Sequence, residues 1–393
     1  MVDKPLLGAI VALLTFSLMM SYSMSAYTVI HFGYMDFHFF LRQFVAVFIG
    51  LGAMIVLSRM DPDRSFVPVG FVLFISFFIL MIVMQFLPVS LVKEVGGAKR
   101  WIHLGPLSIA PVEFFKLGFV FFLSWSLARK FKDKSQMRFF EEIKAFSPYL
   151  VLYLIAVVLI AILQKDLGQV VVLGGALLVL FLFVGSSFKF FFTLMAGAFS
   201  AFIVLIFAAP HRLARIKSWW GTVQDNFLYL FPFDGIQSLR VEAGKEPYQI
   251  SNSLNAIHNG GYFGEGLGNG QFKLGYLSEV HTDFILAGIT EEFGLLGVSL
   301  VSFTILFIVY RIFKIAAKVD GHIYYLFSIS VGLLIAFAFI LNAYGISGIT
   351  PIKGIAVPFL SYGGSHIMAS CVAAGMVLML SKKVPRDEHG RML

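Results

Sequence analysis

Charge is scarce in this chain. Asp, Glu, Lys and Arg make up 13% of its 393 residues, where a soluble domain usually carries about 25%. With 59% of residues hydrophobic and a mean hydropathy of +0.86, one aqueous core could not hide this much apolar surface. The composition therefore excludes a soluble domain and implies an all-helical polytopic membrane protein. Cysteine is almost missing: the single Cys371 excludes an internal disulfide and a cysteine metal cluster, and reads as inert packing. No nucleotide-binding loop is present, which argues against phosphorylation by ATP. A separate soluble domain, a repeat of solenoid period and a low-complexity segment are missing too. What is abundant fits a membrane, with 45 Phe for lipid-facing surface and 36 Gly for close helix approach. The net charge of +8 would suit nucleic acid. Much of the Lys and Arg falls in short loops between apolar runs, so no nucleic-acid partner is expected.

Apolar windows near the ~20 residues that a crossing needs lie at 6–30, 41–58, 66–88, 111–129, 147–163, 168–185, 188–209, 283–311, 323–345 and 363–381. They predict about ten spans. The first is long for a cleaved signal, although Ser23 and Ser25 form a small-x-small pair, and is read as a spanning helix. Arg129, Lys130, Lys132, Lys134, Arg138 and Lys144 crowd one short loop, which the charge bias of membrane proteins makes cytoplasmic. Arg59, Arg64, Arg311, Lys314, Lys318 and the basic tail from Lys382 to Arg391 fall on the same side, so both termini are expected there. The opposite face receives 89–110, 210–282 and 346–362. These carry Lys93, Lys99, Arg100, Arg212, Arg215, Lys217, Arg240, Lys245, Lys273 and Lys353 against the bias. Lipid head groups explain such charges; so does an anionic substrate on the outer leaflet.

Five outer stretches could carry chemistry. Glu113 and Lys116 lie three apart on one helical face, either as an ion pair bracing the bundle or, with Arg100, as a grip on a diphosphate. Asp166, in the tight turn between spans five and six, is a helix cap or a substrate contact. Six of the eleven residues from Gly260 to Gly270 are glycine; without a strand before them, their GxGxxG spacing is weak. It is read as a re-entrant turn offering backbone N–H groups to an anion, or as a plain loop. The string Leu277 to Asp283 ends in a carboxylate at the mouth of a span, where an ionisable residue is costly and usually functional. Asp283 is a helix cap or a general base; Glu291 and Glu292 follow two turns deeper. Finally, Lys353 stands where Pro351 and Gly354 break an apolar region, as happens beside cavities.

Together these stretches resemble the SEDS family (shape, elongation, division and sporulation) over nearly the whole chain. The resemblance rests on Gly97-Ala98-Lys99-Arg100-Trp101-Ile102, Pro111-Val112-Glu113-Phe114-Phe115-Lys116, Asp166-Leu167-Gly168, Tyr248-Gln249 with Ser253, Gly268-Asn269, His281-Thr282-Asp283-Phe284, Glu291-Glu292-Phe293-Gly294 and Ser361-Tyr362-Gly363-Gly364-Ser365. Gly268-Asn269 with Lys273 to Leu277, and Pro351-Ile352-Lys353-Gly354, are more similar to the division branch than to the elongation branch. Ser278 and Lys165 stand where the family usually has proline, and Val112 where it usually has serine.

The resemblance implies one membrane domain over 1–393, with loop 210–282 between spans seven and eight. It implies a peptidoglycan glycosyltransferase that polymerises lipid II and releases undecaprenyl diphosphate, in the bacterial cytoplasmic membrane at the division septum. A class B penicillin-binding protein and other divisome membrane proteins are the implied partners. Asp283 is the expected catalytic acid, and Arg100, Glu113, Lys116, His281, Lys353 and Ser361 are the expected substrate-binding residues. No metal-ligand spacing occurs, although outer acidic groups leave room for a divalent cation, Mg or Mn. The rival readings are a lipid II flippase, which would move substrate without lengthening glycan, a non-enzymatic division scaffold, and an elongation-type polymerase.

Overall fold

In the computed structural model, residues 2–95, 97–104, 107–131, 138–208, 210, 213–214, 216–217, 219–221, 224, 248–351 and 354–385 are described. In chain order the elements are α1 (Lys4–Met24), α2 (Ala26–Phe32), α3 (His38–Arg59), α4 (Pro62–Val83), strands β1 (Glu94–Val95), β2 (Ala98–Lys99), β3 (Ile102–Leu104) and β4 (Leu107–Ile109), α5 (Pro111–Lys130) and α6 (Phe139–Val157). After a π-helical turn over Val158–Leu163 come α7 (Leu167–Val184), α8 (Phe188–Phe207), α9 (Tyr248–Gly260), α10 (Ile285–Lys318), α11 (His322–Ile346) and α12 (Gly364–Leu380). Among the described residues ten helices are long and apolar enough to cross a membrane: all but α2 and α9. The expected ten spans are there.

Their ends follow local chemistry. The Asp3 carboxylate accepts from Leu6 N at 2.9 Å and Asp61 from Asp63 N at 2.9 Å, each ahead of a proline in the first turn. Such caps satisfy orphan N–H groups. Two windows differ from expectation. The run 6–30 divides at Ser25, whose hydroxyl donates to Ser21 O at 2.6 Å. The window 283–311 extends to Lys318 but breaks at Gly294, with φ 66° and ψ −167°.

The bundle centres on α5, α11 and α12, whereas α8 buries only Phe190. Small residues set the closest crossings. A Cβ on Gly118 would stand 2.3 Å from Phe74 N, so α5 meets the α4 backbone directly. Between α3 and α12, Gly50 faces the Cys371 sulfur and Gly375 faces Met54. Cys371 is buried packing, as read.

The first and last described helices meet at one face. Asp3 N donates to Ser381 Oγ at 3.1 Å, and the Asp3 carboxylate pairs with Arg311 at 2.5 Å. Lys383 pairs with Asp63 at 2.5 Å on the same face. The opposite face holds the irregular segments. There 89–110, read as a loop, folds into two antiparallel hairpins with Glu94 opposite Lys99 and Ile102 opposite Ile109.

Loop 261–276 is pinned to the break in α10. Glu265 N and Gly266 N donate to the carbonyls of Glu291 and Glu292 at 2.9 Å, and Leu295 N donates to Gly261 O at 2.9 Å. A Cβ on Gly264 would lie 2.3 Å from Glu292 O, and one on Gly294 2.4 Å from Tyr262. These glycines permit backbone-on-backbone packing, and the N–H groups of Gly264, Glu265 and Gly266 are already bonded within the protein. The expected anion cradle is therefore replaced by a clamp.

Candidate active site

A cavity of about 980 Å³ opens among the outer segments. One wall is the α6–α7 turn. The π-helical turn before it sends Gln164 N back to Leu159 O and Asp166 N to Ile160 O, a distortion common at functional sites. Arg100 fastens this turn from the hairpins: its Nε donates to Gln164 O at 2.7 Å and its Nη2 to Lys165 O at 3.0 Å. Asp166 caps α7, accepting from Gln169 N at 3.2 Å, and also lines the cavity. Burial pushes its carboxyl up, and the Arg100 guanidinium works against this.

Behind that wall lies a buried polar group on α5. Glu113 pairs with Lys116 at 3.0 Å, accepts from Gln169 Nε2 at 2.9 Å and meets His366 Nδ1 at 3.1 Å. Lys116 also donates to Gln169 Oε1 at 2.5 Å. Glu113 is on the cavity wall; Lys116 is not among its lining residues. The geometry makes Lys116 the brace of Glu113, and a direct phosphate contact would require breaking a buried pair, at about 3–5 kcal/mol.

The opposite wall carries Asp283. Its main chain is held on both sides: Asp283 N donates to Glu279 O at 3.1 Å, and Asn342 Nδ2 donates to Asp283 O at 2.7 Å. Helix α10 starts from Phe284 without a side-chain cap, so Asp283 does not cap it. Among the described residues its carboxylate has no hydrogen-bond partner. Gly354, at φ 62°, lies where a Cβ would come within 2.9 Å of Asp283 Oδ2. Burial, then the Glu279 and Asp166 carboxylates, push the Asp283 carboxyl up to about 7; His366 and Arg100 pull the other way.

Ser361 and His281 support this wall. Ser361 Oγ donates to Thr282 O at 2.7 Å and accepts from Val357 N at 2.8 Å, while fully buried. It positions the Asp283 loop and is closed to a ligand. His281 lines the cavity with its ring against Phe39 and Tyr362. Burial lowers its pKa, opposed by Glu279. Lys353 lies outside the described residues, as do Arg212, Arg215, Arg240 and Lys245.

Glu291 and Glu292, the acids two turns deeper, are structural. Glu291 accepts from Gln271 N at 2.6 Å and Phe272 N at 3.1 Å. Glu292 is salt-bridged to Lys273 at 2.5 Å and accepts from Ser23 Oγ at 2.6 Å. Lys273 is thereby neutralised inside the clamp. Among the described residues no three His, Cys, Asp or Glu side chains gather as a metal site.

Residues 4–385 match the family model described as Cell cycle protein, which covers FtsW, RodA and SpoVE. The chain belongs to this family. Within it, "Probable peptidoglycan glycosyltransferase FtsW" of Helicobacter pylori strain 26695 is 46% identical over 97% of this chain and 98% of that protein. The protein of the same name from Bacillus subtilis strain 168 is 33% identical over 98% of this chain and 92% of its own. The fold matches two crystal structures of Thermus thermophilus RodA, a rod shape determining protein, with TM-scores of 0.64 (a point mutant) and 0.63 at 21% and 22% identity, covering 98% of this chain and at least 98% of each. It also matches a chain from a structure titled "Structural coordination of polymerization and crosslinking by a peptidoglycan synthase complex", with a TM-score of 0.69 at 21% identity over 97% of this chain and 98% of that chain.

In this family member three cavity residues escaped the sequence reading. Arg42 lines the cavity from α3 and hydrogen-bonds Tyr362; a lone arginine at the edge of an apolar window was the available signal. Glu279 sits beside Asp283 because its backbone turns at φ 58°. His366 meets Glu113 across 253 residues of sequence, and no local pattern reveals that.

Proposed function

We propose that this chain polymerises lipid II into glycan strands with Asp283 as general base. The family and the FtsW relatives make it a peptidoglycan glycosyltransferase of the division type; acceptor, base and leaving group are our reading. One observation carries it: a half-buried carboxylate with a raised pKa and, among the described residues, no hydrogen-bond partner, lining the same cavity as Arg100 and Arg42.

The acceptor sugar's 4-hydroxyl gives its proton to Asp283 as its oxygen attacks the anomeric carbon of the donor strand. The bond from that carbon to the diphosphate oxygen breaks, its electron pair leaves with undecaprenyl diphosphate, and the new glycosidic bond has inverted configuration. Arg100 and Arg42 meet the diphosphate charge. A carboxyl titrating near 7 balances base strength against the fraction ionised at neutral pH. A class B penicillin-binding protein is the proposed partner, at the septum. The basic face formed by Arg59, Arg311 and Lys383 is the cytoplasmic one.

The test is glycan synthesis from lipid II in liposomes, alone and with the cognate penicillin-binding protein. Asp283→Asn should lose about 10²–10⁴-fold in rate. Strand synthesis at the wild-type rate by this variant refutes the assignment, and lipid II crossing leaflets without polymer favours the flippase reading.

A further inference from the structure

The turn between α6 and α7 carries a cation that the reaction above does not use. Lys165 stands at its crown with φ 52°, a left-handed backbone that residues other than glycine rarely adopt. Its neighbours hold it there: Arg100 Nη2 donates to Lys165 O at 3.0 Å, and Asp166 N donates to Ile160 O at 2.9 Å. The family usually has proline at this position, and a proline, with φ fixed at about −65°, could not take this turn. Strained backbone persists where its surroundings hold it, and it gathers at binding sites.

The held backbone aims the side chain at hairpin β1–β2. A Cβ on Gly97 would collide with Lys165 Nζ, so the ammonium rests on the bare glycine. Lys165 lines the cavity and Gly97 does not, which puts the charge at the rim. Other cations of this face are spent on the protein itself. Lys99 donates to Gln85 O at 2.8 Å, Arg100 bridges the Gln164 and Lys165 carbonyls, and Lys116 and Lys273 are paired with Glu113 and Glu292. The Lys165 side chain is exposed, and among the described residues its ammonium has no hydrogen bond or ion pair. Glu94 of β1 approaches the same glycine without pairing with it.

We propose that Lys165 is a substrate-binding residue: its ammonium holds an oxyanion of the lipid-linked acceptor, one that stays on the product. The proposal rests on lipid II being the substrate. Lipid II carries oxyanions from two sources that survive the transfer, the acceptor's own diphosphate and the carboxylates of its stem peptide. An ammonium serves either as a compact point charge. A rim position suits an anion that stays, because the charge on the leaving diphosphate develops at the carbon beside Asp283, inside the cavity. An interaction of equal strength before and during the reaction tightens binding and leaves the chemical step alone. Lys165 makes and breaks no bond.

The test is lipid II binding and polymerisation by the purified full chain, wild type against Lys165→Gln and Lys165→Arg, at low and high salt. Both variants keep an unbranched, hydrophilic side chain, and the fold uses only the backbone of this residue. At low salt Lys165→Gln should bind lipid II about two- to five-fold more weakly, what a water-exposed ion pair is worth, with KM raised alike and kcat unchanged. The gap should close in about 1 M salt, and Lys165→Arg should bind like wild type. Glu94→Gln should bind at least as tightly as wild type. Equal affinity of Lys165→Gln and wild type, a loss that salt does not reduce, or the same loss in Glu94→Gln overturns the proposal; the last result would make Lys165 a brace for Glu94. Lipid II with amidated stem-peptide carboxylates distinguishes the sources: a gap that persists assigns the diphosphate, and one that vanishes assigns the carboxylates. If wild type makes no glycan, the polymerase reading falls while a salt-sensitive loss of lipid II binding by Lys165→Gln stands. If wild type polymerises and Lys165→Gln binds as tightly, the proposal alone falls.

Discussion

Neutralising Asp283 should make the protein more stable, and increasingly so as pH rises. The carboxyl goes from an ordinary 3.8 to about 7 in the folded protein, chiefly through burial. The folded state thus holds a proton that the unfolded chain releases from about pH 4 upward. Stability from this group is complete below that point and is lost as pH rises through 7. A rise of about three pH units corresponds to roughly 4 kcal/mol at about 1.4 kcal/mol each, an upper bound for a group that water partly reaches. Asparagine keeps the shape and carries no charge, and among the described residues the carboxylate it replaces has no hydrogen bond to lose. Asp283→Asn should therefore unfold at a higher temperature than wild type at about pH 8, with the difference shrinking toward about pH 4. Scanning fluorimetry in detergent across that range reads it directly. A difference that stays constant with pH, or wild type being the more stable at about pH 8, refutes the reasoning and with it the raised pKa.

Other consequences follow from the same geometry. Lys273→Met strands the Glu292 carboxylate inside the clamp and should cost about 3–5 kcal/mol, read as a lower unfolding temperature; the double variant with Glu292→Leu should recover most of it. Gly354→Ala puts a methyl group 2.9 Å from Asp283 Oδ2 at a backbone angle that favours glycine, so polymerisation should drop and the unfolding temperature should fall modestly. Arg100→Lys keeps the charge but cannot bridge two carbonyls; it should loosen the Gln164–Asp166 turn, visible as faster amide exchange there and a slower polymerisation rate.

Much of this architecture was legible in the sequence because lipid imposes a simple rule. Ten apolar runs became ten crossing helices, and Arg59, Arg311 and the Lys382–Lys383 pair came together at one end of the bundle. Asp283 was visible as a carboxylate at a span mouth, but whether it capped a helix or stayed free depended on Phe284 opening α10 and on Asn342 holding the Asp283 carbonyl. Neither fact has a local pattern. The glycines of 260–270 signalled an unusual backbone without saying what it packs against; the answer lay in the break at Gly294, a single residue inside a long apolar run. Lys273 looked like a spare cation because its partner, Glu292, is brought in by a tertiary contact; Lys116 was open between bracing Glu113 and gripping a diphosphate, and the structure pairs it with Glu113 and with Gln169 of α7. Ser361 carried a motif whose role is to hold Thr282.

The most direct test of Asp283 as the base is the initial rate of lipid II polymerisation as a function of pH. With the carboxyl titrating at about 7, the rate should climb through neutrality on the acid side, half-developed near that value, and Asp283→Asn should be slow throughout with no such rise. A wild-type rate already full at about pH 5, an ordinary carboxylate's range, would contradict the account.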